Sequence, residues 1–381
     1  SGLITSSSFA SKVDFATGNG VISIAIGDVD EDGKPDLVTA NGGGSISVLR
    51  NTSISGYITS TSFASKVDFT AGLNPQSVAI GDVDGDGKAD LVIANYNSHT
   101  VSVFRNTSTS GLITSSSFAS KVDFATGTTP FSVAIGDVDG DGKPDLVVAN
   151  RSDNTISVFR NISTFGLITS SSFASKVDFA TGPPPYSVAI DDVDGDGKPD
   201  LVTANVNSIS VLRNTSASGS ITASSFASKV DFGVATQIVA IGDIDGDGKP
   251  DLVVANNGNN TVSVLRNTVA PQTPQNLTAT AGTGQVTLKW NKISENRFLR
   301  YRIYRGTSPS PTTKVDSTAG GNLSDTSKTV TGLSNGITYY FRVKAIDSSF
   351  VESAYSNEVS ATPVAPSVIS VSPVKNALNV A

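Results

Sequence analysis

Val133-Ala134-Ile135-Gly136-Asp137-Val138-Asp139-Gly140-Asp141-Gly142-Lys143-Pro144-Asp145-Leu146-Val147-Val148-Ala149-Asn150 is the stretch on which the reading of this chain turns. Its centre is the pattern Asp-x-Asp-x-Asp-Gly-x-x-Asp. Its flanks are alternating runs rich in β-branched residues, so an acidic loop joins two strands. The same pattern begins at Asp28, Asp82, Asp192 and Asp243 as well, with spacings of 54, 55, 55 and 51 residues across the five copies. A period near 54 residues built of several short strands predicts a propeller or a β-solenoid.

The spacing also has a chemistry. Carboxylates at positions 1, 3 and 5 converge if the loop curls about a centre. Glycine at position 6 permits the positive φ of the sharp turn. That turn aims the position-7 carbonyl inward, and the aspartate at position 9 closes the cage. An all-oxygen set suits calcium, which takes six to eight such ligands in flexible geometry, better than magnesium, which demands a tight octahedron and keeps its waters. Zinc is disfavoured by a chain with no Cys and one His. The expected ligands are Asp28, Asp30, Asp32 and Asp36 with the Lys34 carbonyl, then Asp82, Asp84, Asp86 and Asp90 with Lys88. The third set is Asp137, Asp139, Asp141 and Asp145 with Lys143, and the fourth Asp192, Asp194, Asp196 and Asp200 with Lys198. The fifth is Asp243, Asp245, Asp247 and Asp251 with Lys249, so about five Ca2+ are expected. The first half of each loop matches an EF-hand. Position 12, however, is Val148 or its equivalent instead of glutamate, and strand sequences replace the flanking helices. A plain solvated Asp-Gly turn explains one copy, but not five with every aspartate intact. Twenty of the 34 acidic residues stand in these loops, and five bound Ca2+ would take the formal net charge from −7 to +3.

Within one repeat the expected strands are Ser117–Phe124, Phe131–Ile135, Leu146–Ala149 and Thr155–Arg160, four per unit. On the string 133–150 and its copies, residues 1–268 resemble FG-GAP/VCBS repeats, the blades of integrin-α-type and bacterial surface propellers. That resemblance implies an all-β fold with the cation loop between the first two strands of each blade. It also makes the segment Phe9–Phe15 the outer strand of a blade, available to complete the fifth. A closed five-bladed propeller is therefore expected, with an excerpt of a longer array as the alternative. The outer-strand phenylalanines should pack between blades. The series Arg50, Arg105, Arg160, Arg213 and Arg266 should pair with neighbouring blades.

Composition changes at Val269–Pro274, read as a linker. Alternating strands such as Val286-Thr287-Leu288-Lys289-Trp290 and Tyr339-Tyr340-Phe341-Arg342-Val343 follow. The region 271–363 resembles a fibronectin type III domain, its immunoglobulin-like sandwich placed at 275–363. Trp290 would be its core tryptophan and Tyr339 its corner tyrosine. Residues 364–381 read as the opening of a further Ig-like domain or a strand donated to a neighbour.

The chain has no Cys and no Met, and no apolar run long enough to span a membrane. Together with the loops, this predicts a secreted or cell-surface protein, bacterial in style. The partners expected are a glycan or protein at the cell surface or copies of itself. With pI ≈ 4.8 and no basic patch, nucleic acid is not expected. The single histidine, His99, lies in a polar turn with no oriented partner in sequence, and the aspartates are committed to the cages, so no enzyme is expected. Adhesion or a structural role fits best. The alternatives are a filament subunit assembling through its C-terminal strand and an accessory part of a polysaccharide-degrading enzyme.

Overall fold

The computed structural model describes Thr5 and residues 8–234, 237–293 and 298–366. Every regular element among them is a strand, and no helix is long and apolar enough to cross a membrane. Two compact units are present. One holds the repeats up to Asn267. The other runs from Thr268 onward and takes in the short pieces Gly195–Gly197 and Gly246–Lys249.

The repeat unit contains five antiparallel meanders. The first is β1 (Val21–Gly27), β2 (Asp36–Asn41), β3 (Ser45–Leu49) and β4 (Val67–Thr70). The second is β5 (Pro75–Gly81), β6 (Asp90–Asn95), β7 (Thr100–Phe104) and β8 (Val122–Ala125). The third is β9 (Pro130–Gly136), β10 (Asp145–Asn150), β11 (Thr155–Phe159) and β12 (Val177–Ala180). The fourth is β13 (Pro185–Asp191), β14 (Asp200–Asn205), β15 (Ser208–Leu212) and β16 (Val230–Phe232). The fifth has three strands, β17 (Ile238–Gly242), β18 (Asp251–Asn256) and β19 (Thr261–Leu265). The second strand of each inner sheet is buried along its whole length, because sheets cover both its faces. That accounts for its continuous apolar run, where alternation would mark a half-exposed strand.

Successive sheets are joined by edge-on phenylalanine pairs. Phe69 meets Phe118 with centroids 5.0 Å apart, and Phe124–Phe173 and Phe179–Phe226 each stand at 4.9 Å. The first of the four predicted strands is shorter than expected. Only Val122–Ala125 pairs, while Phe118 makes an isolated bridge to Asn106. The Thr114 amide donates to Ser117 Oγ and the Ser117 amide to the Thr114 carbonyl, a local turn that competes with the ladder.

A polar relay ties the last three strands of each four-stranded sheet of the repeat unit. Asn150 Nδ2 donates to Ser157 Oγ (2.8 Å), which donates to Asp178 Oδ1 (2.6 Å). The same triplet recurs at Asn41–Ser47–Asp68, Asn95–Ser102–Asp123 and Asn205–Ser210–Asp231. Ser157→Ala leaves Asn150 and Asp178 each short of a partner. It is expected to cost about 1–3 kcal/mol in calcium buffer, read as a lowered unfolding temperature of the repeat unit.

Among the described residues the expected closed five-bladed ring is not formed. Asn256 reaches Ser263 in the fifth sheet, but among the described residues no fourth strand carries the relay on. Asp14, which would be the acceptor at that place if Phe9–Phe15 completed the fifth sheet, is largely exposed and ion-paired to Lys12 instead. Phe15 packs on Phe63 of the first repeat (4.9 Å), and Gly18 N donates to Ser47 Oγ. Residues 8–17 are thus held on the first repeat and form no strand. The first and last sheets keep apolar side chains in water: Ile26 is 68% exposed and Val262 67%, whereas the inner equivalents of Val262, Val101 and Ile156, are fully buried.

The second unit is a seven-stranded sandwich. One sheet is β20 (Thr278–Gly282), β21 (Gln285–Lys289) and β24 (Ser327–Thr331). The other is β22 (Phe298–Gly306), β23 (Lys314–Ser317), β25 (Tyr339–Asp347) and β26 (Val359–Ala361). Trp290 is buried and edge-on to Tyr301 at 5.1 Å, and the Ser334 amide donates to Tyr339 Oη (3.2 Å), the corner contact expected. Residues 367–381, which hold most of the expected donated strand, lie outside the described residues.

Candidate metal centre

Each acidic loop lies between the first two strands of its sheet. Asp137 follows β9 directly and Asp145 opens β10, paired with Gly136. Glycine at position 6 is left-handed in all five copies, with φ from 84° at Gly33 to 91° at Gly87, as the turn requires. Position 4 is left-handed too, which explains its glycine in four copies. In the first copy Glu31 holds φ 57° without that freedom.

The position-1 carboxylate organises the turn. Asp137 Oδ1 accepts from Asp141 N (3.1 Å) and Oδ2 from Gly142 N (2.9 Å), and Asp28 does the same with Asp32 N and Gly33 N. Position 9 has a role the sequence reading missed. Asp145 is buried, and its oxygens accept from Val138 N (3.0 Å) and Asn161 N (2.7 Å). Asp36, Asp90, Asp200 and Asp251 repeat this clamp. The only sequence signal for it is the aspartate's place at the first residue of a strand.

Carboxylate oxygens come within 4.8 Å of one another in all five loops, but by two different sets. In the first two loops the groups are Asp28–Asp30–Asp32 and Asp82–Asp84–Asp86. In the last three they are Asp137–Asp139–Asp145, Asp192–Asp194–Asp200 and Asp243–Asp245–Asp251. Three of the four aspartates are thus gathered in every loop, and Asp36 and Asp90, and Asp141, Asp196 and Asp247, stand outside these groups. The position-7 lysines put their side chains to separate use: the ammoniums of Lys88, Lys143 and Lys198 donate to the carbonyls of Ser108, Ser163 and Ser216. Lys34 is exposed. Lys249, which groups with the second unit, is fully buried; its ammonium donates to the Val269 carbonyl and pairs with Asp347 at 2.6 Å.

A divalent cation fits these loops on one observation above others. Asp30 is fully buried, and neither of its oxygens meets a hydrogen-bond partner; Asp84 has one such orphaned oxygen. Burial and the Asp32 charge push the Asp30 carboxyl up, against weaker pulls from the Asp32 amide and Arg50. Burial likewise raises Asp36 to about 6 and Asp90 and Asp145 to about 7, although each accepts two backbone N–H groups. For a carboxyl raised in the fold, stability is greatest below the unfolded value near 4 and is lost as pH climbs through the folded value. Metal-free protein should therefore unfold at progressively lower temperature from pH 5 to pH 8. A saturating divalent ion, which holds the carboxylates ionised, should abolish that slope. Melting curves across this range in chelator and in calcium check both halves.

The arginine series does not pair between sheets as expected. Each arginine follows the third strand of its sheet and reaches back into its own loop. Arg160 Nε lies 2.7 Å from Asp139 and Arg213 Nε 2.5 Å from Asp194, while Arg266 bonds Asp245. His99 accepts from Thr129 N and has no acid–base partner among the contacts described. Across the turn ends of three successive sheets lies an aromatic cluster: Tyr96, Phe131 and Tyr186 stand edge-on at 6.2 and 5.1 Å. Arg151 lies over the Tyr186 ring and donates to both tyrosine hydroxyls at 2.9 Å.

Five meanders with acidic loops, followed by an immunoglobulin-like sandwich, define an all-β repeat protein of modular build. The FG-GAP-like repeat matches residues 28–93, 82–148, 137–203 and 192–254, each match running from one loop through the next, and the fibronectin type III domain matches 272–362. The chain belongs to the FG-GAP-like repeat family and carries a fibronectin type III domain. It is also similar to two curated amylopullulanases, at 31% identity over 129 residues in Thermoanaerobacter thermohydrosulfuricus and 31% over 97 residues in Thermoanaerobacterium thermosulfurigenes. Those stretches are 34% and 26% of this chain but only 8% and 5% of the relatives' lengths. An Fn3-like protein from Clostridium thermocellum aligns at 25% identity over 26% of this chain and 97% of its own, with a TM-score of 0.21, too low to add to the fold argument.

Proposed function

We propose that the five loops bind calcium and that the chain is a non-catalytic, extracellular repeat scaffold acting in adhesion. The buried Asp30 carboxylate with no hydrogen-bond partner carries the calcium reading. A charge so placed is strongly disfavoured unless a cation accompanies it, and an all-oxygen donor set selects a hard one. In each loop the ligands would come from the aspartates at positions 1, 3, 5 and 9 with the position-7 carbonyl. The ion would supply charge neutralisation and rigidity, and the chain's own groups set the loop. Position 1 orders the turn through two amides, and position 9 ties it to the sheet. Calcium is plentiful outside cells, and FG-GAP and fibronectin type III modules are typical of extracellular proteins, which supports the localisation. Equilibrium dialysis against calcium is the direct test: about five ions per chain are expected, and none bound would sink the reading.

The presenting surface proposed is the turn end carrying Tyr96, Phe131, Tyr186 and Arg151. Half-buried aromatic faces beside a guanidinium suit a sugar ring or a protein side chain. The similarity to the amylopullulanases favours a second reading, an accessory module of a polysaccharide-degrading enzyme. A glycan array followed by Tyr186→Ala separates the two. Retention of α-glucans supports the accessory role. Capture of other surface glycans, lost in the variant, supports adhesion.

A further inference from the structure

The five loops are alike in sequence but fall into two geometric classes, and one residue tracks the division. In the first two loops the arginine after the third strand stands off: Arg50 is 3.9 Å from Asp30 and 3.8 Å from Asp32, and Arg105 is 3.8 Å from Asp86. These are the loops that gather the position-1, -3 and -5 carboxylates and contain the orphaned oxygens of Asp30 and Asp84. In the last three loops the guanidinium is hydrogen-bonded to the position-3 aspartate, through the pairs Arg160–Asp139, Arg213–Asp194 and Arg266–Asp245. There the gathered carboxylates are those of positions 1, 3 and 9. A guanidinium bonded to position 3 thus coincides with loss of the position-5 carboxylate from the group. Arg160 also reaches Asp141, the position-5 residue of its loop, at 3.5 Å.

We infer that these arginines are displaceable counter-ions built into the loops. Resting on the calcium reading above, the inference is that Arg160, Arg213 and Arg266 neutralise their loops in the metal-free state and must be displaced for calcium to enter. The first and second loops, with the arginine already withdrawn, take calcium first. Each arginine is a positioning residue with two opposed effects. It stabilises the empty loop, and it weakens calcium there by holding a needed carboxylate and keeping a positive charge nearby.

The test is a calcium titration against a competing chelator on the full chain, beside melting curves in chelator alone. Wild type should show two tight sites and three weaker ones. Arg160→Gln/Arg213→Gln/Arg266→Gln should tighten the weaker class by about tenfold, the scale of removing one unit charge near the ion, and should lower the metal-free unfolding temperature. Arg50→Gln/Arg105→Gln should leave the weaker class unchanged. The corresponding triple Lys variant, which keeps the charge, should restore most of the wild-type weakness. A triple Gln variant whose isotherm overlays wild type, or two Gln variants that change alike, would overturn the inference while calcium binding itself stands. No calcium uptake by any of the proteins would overturn the calcium reading, and this inference with it.

Discussion

Chelation should lower the unfolding temperature of the repeat unit by more than about 10 °C, while the fibronectin type III transition stays where it was. An ion held at a hundred times its dissociation constant stabilises by about 2.7 kcal/mol, and one kcal/mol is worth roughly 2–4 °C in a domain of this size. A single loop therefore accounts for roughly 5–10 °C, and five loops exceed that. The direction follows from the empty state. Asp30 keeps a buried carboxylate without a hydrogen-bond partner, with Asp28 and Asp32 beside it, and Asp84 is similarly crowded by Asp86 and Asp82. The core of the second unit contains no such cluster: it is Trp290, Tyr301, Ile303, Phe341 and Val343 with their neighbours. Differential scanning calorimetry in excess chelator, then after calcium is returned, resolves the two transitions. Calcium should restore the repeat transition fully and magnesium only in part. A repeat transition that ignores both chelator and calcium would refute the calcium assignment.

The strand order was legible because the acidic motif fixes both ends of a hairpin: Asp137 cannot lie far from the end of β9, nor Asp145 from the start of β10. The sandwich was legible in the same way, through Trp290 and Tyr339 at their expected places. Ring closure was not. Val13-Asp14-Phe15 repeats the outer-strand string Val67-Asp68-Phe69, but a matching string names a strand without naming its partner. That choice is set by long-range contacts, here Phe15 on Phe63 and Gly18 on Ser47. The arginines were misplaced for a related reason. Their period shows in the sequence, but their target depends on β11 running back antiparallel to β10, with Phe159 opposite Leu146. That register sets Arg160 beside its own loop. Within the loops, four identical aspartate letters conceal three jobs. Position 1 caps the turn amides, position 9 clamps the strands, and position 3 in the first loop is left with no hydrogen-bond partner, only the Arg50 guanidinium 3.9 Å away.

That division makes opposite substitutions of one residue type separable. Asp145→Ala removes the acceptor of two N–H groups, those of Val138 and Asn161, at a site with no access to water. Each stranded donor costs about 1–3 kcal/mol, so the variant should lose about 2–6 kcal/mol in chelator, and more in calcium, where a proposed ligand goes as well. Asp30→Asn breaks no hydrogen bond and loses only the long contact with Arg50 at 3.9 Å. It deletes a buried charge flanked by Asp28 and Asp32, so in chelator the repeat unit should melt higher than wild type. In calcium the same variant should melt lower, because a ligand has gone. The crossing of the Asp30→Asn and wild-type stabilities between the two buffers, beside a drop for Asp145→Ala that is already present in chelator, is the result expected from denaturant unfolding followed by circular dichroism. If Asp30→Asn is destabilised equally in both buffers, its carboxylate serves the fold and not an ion. If Asp145→Ala is affected only in calcium, position 9 is a ligand and not a clamp.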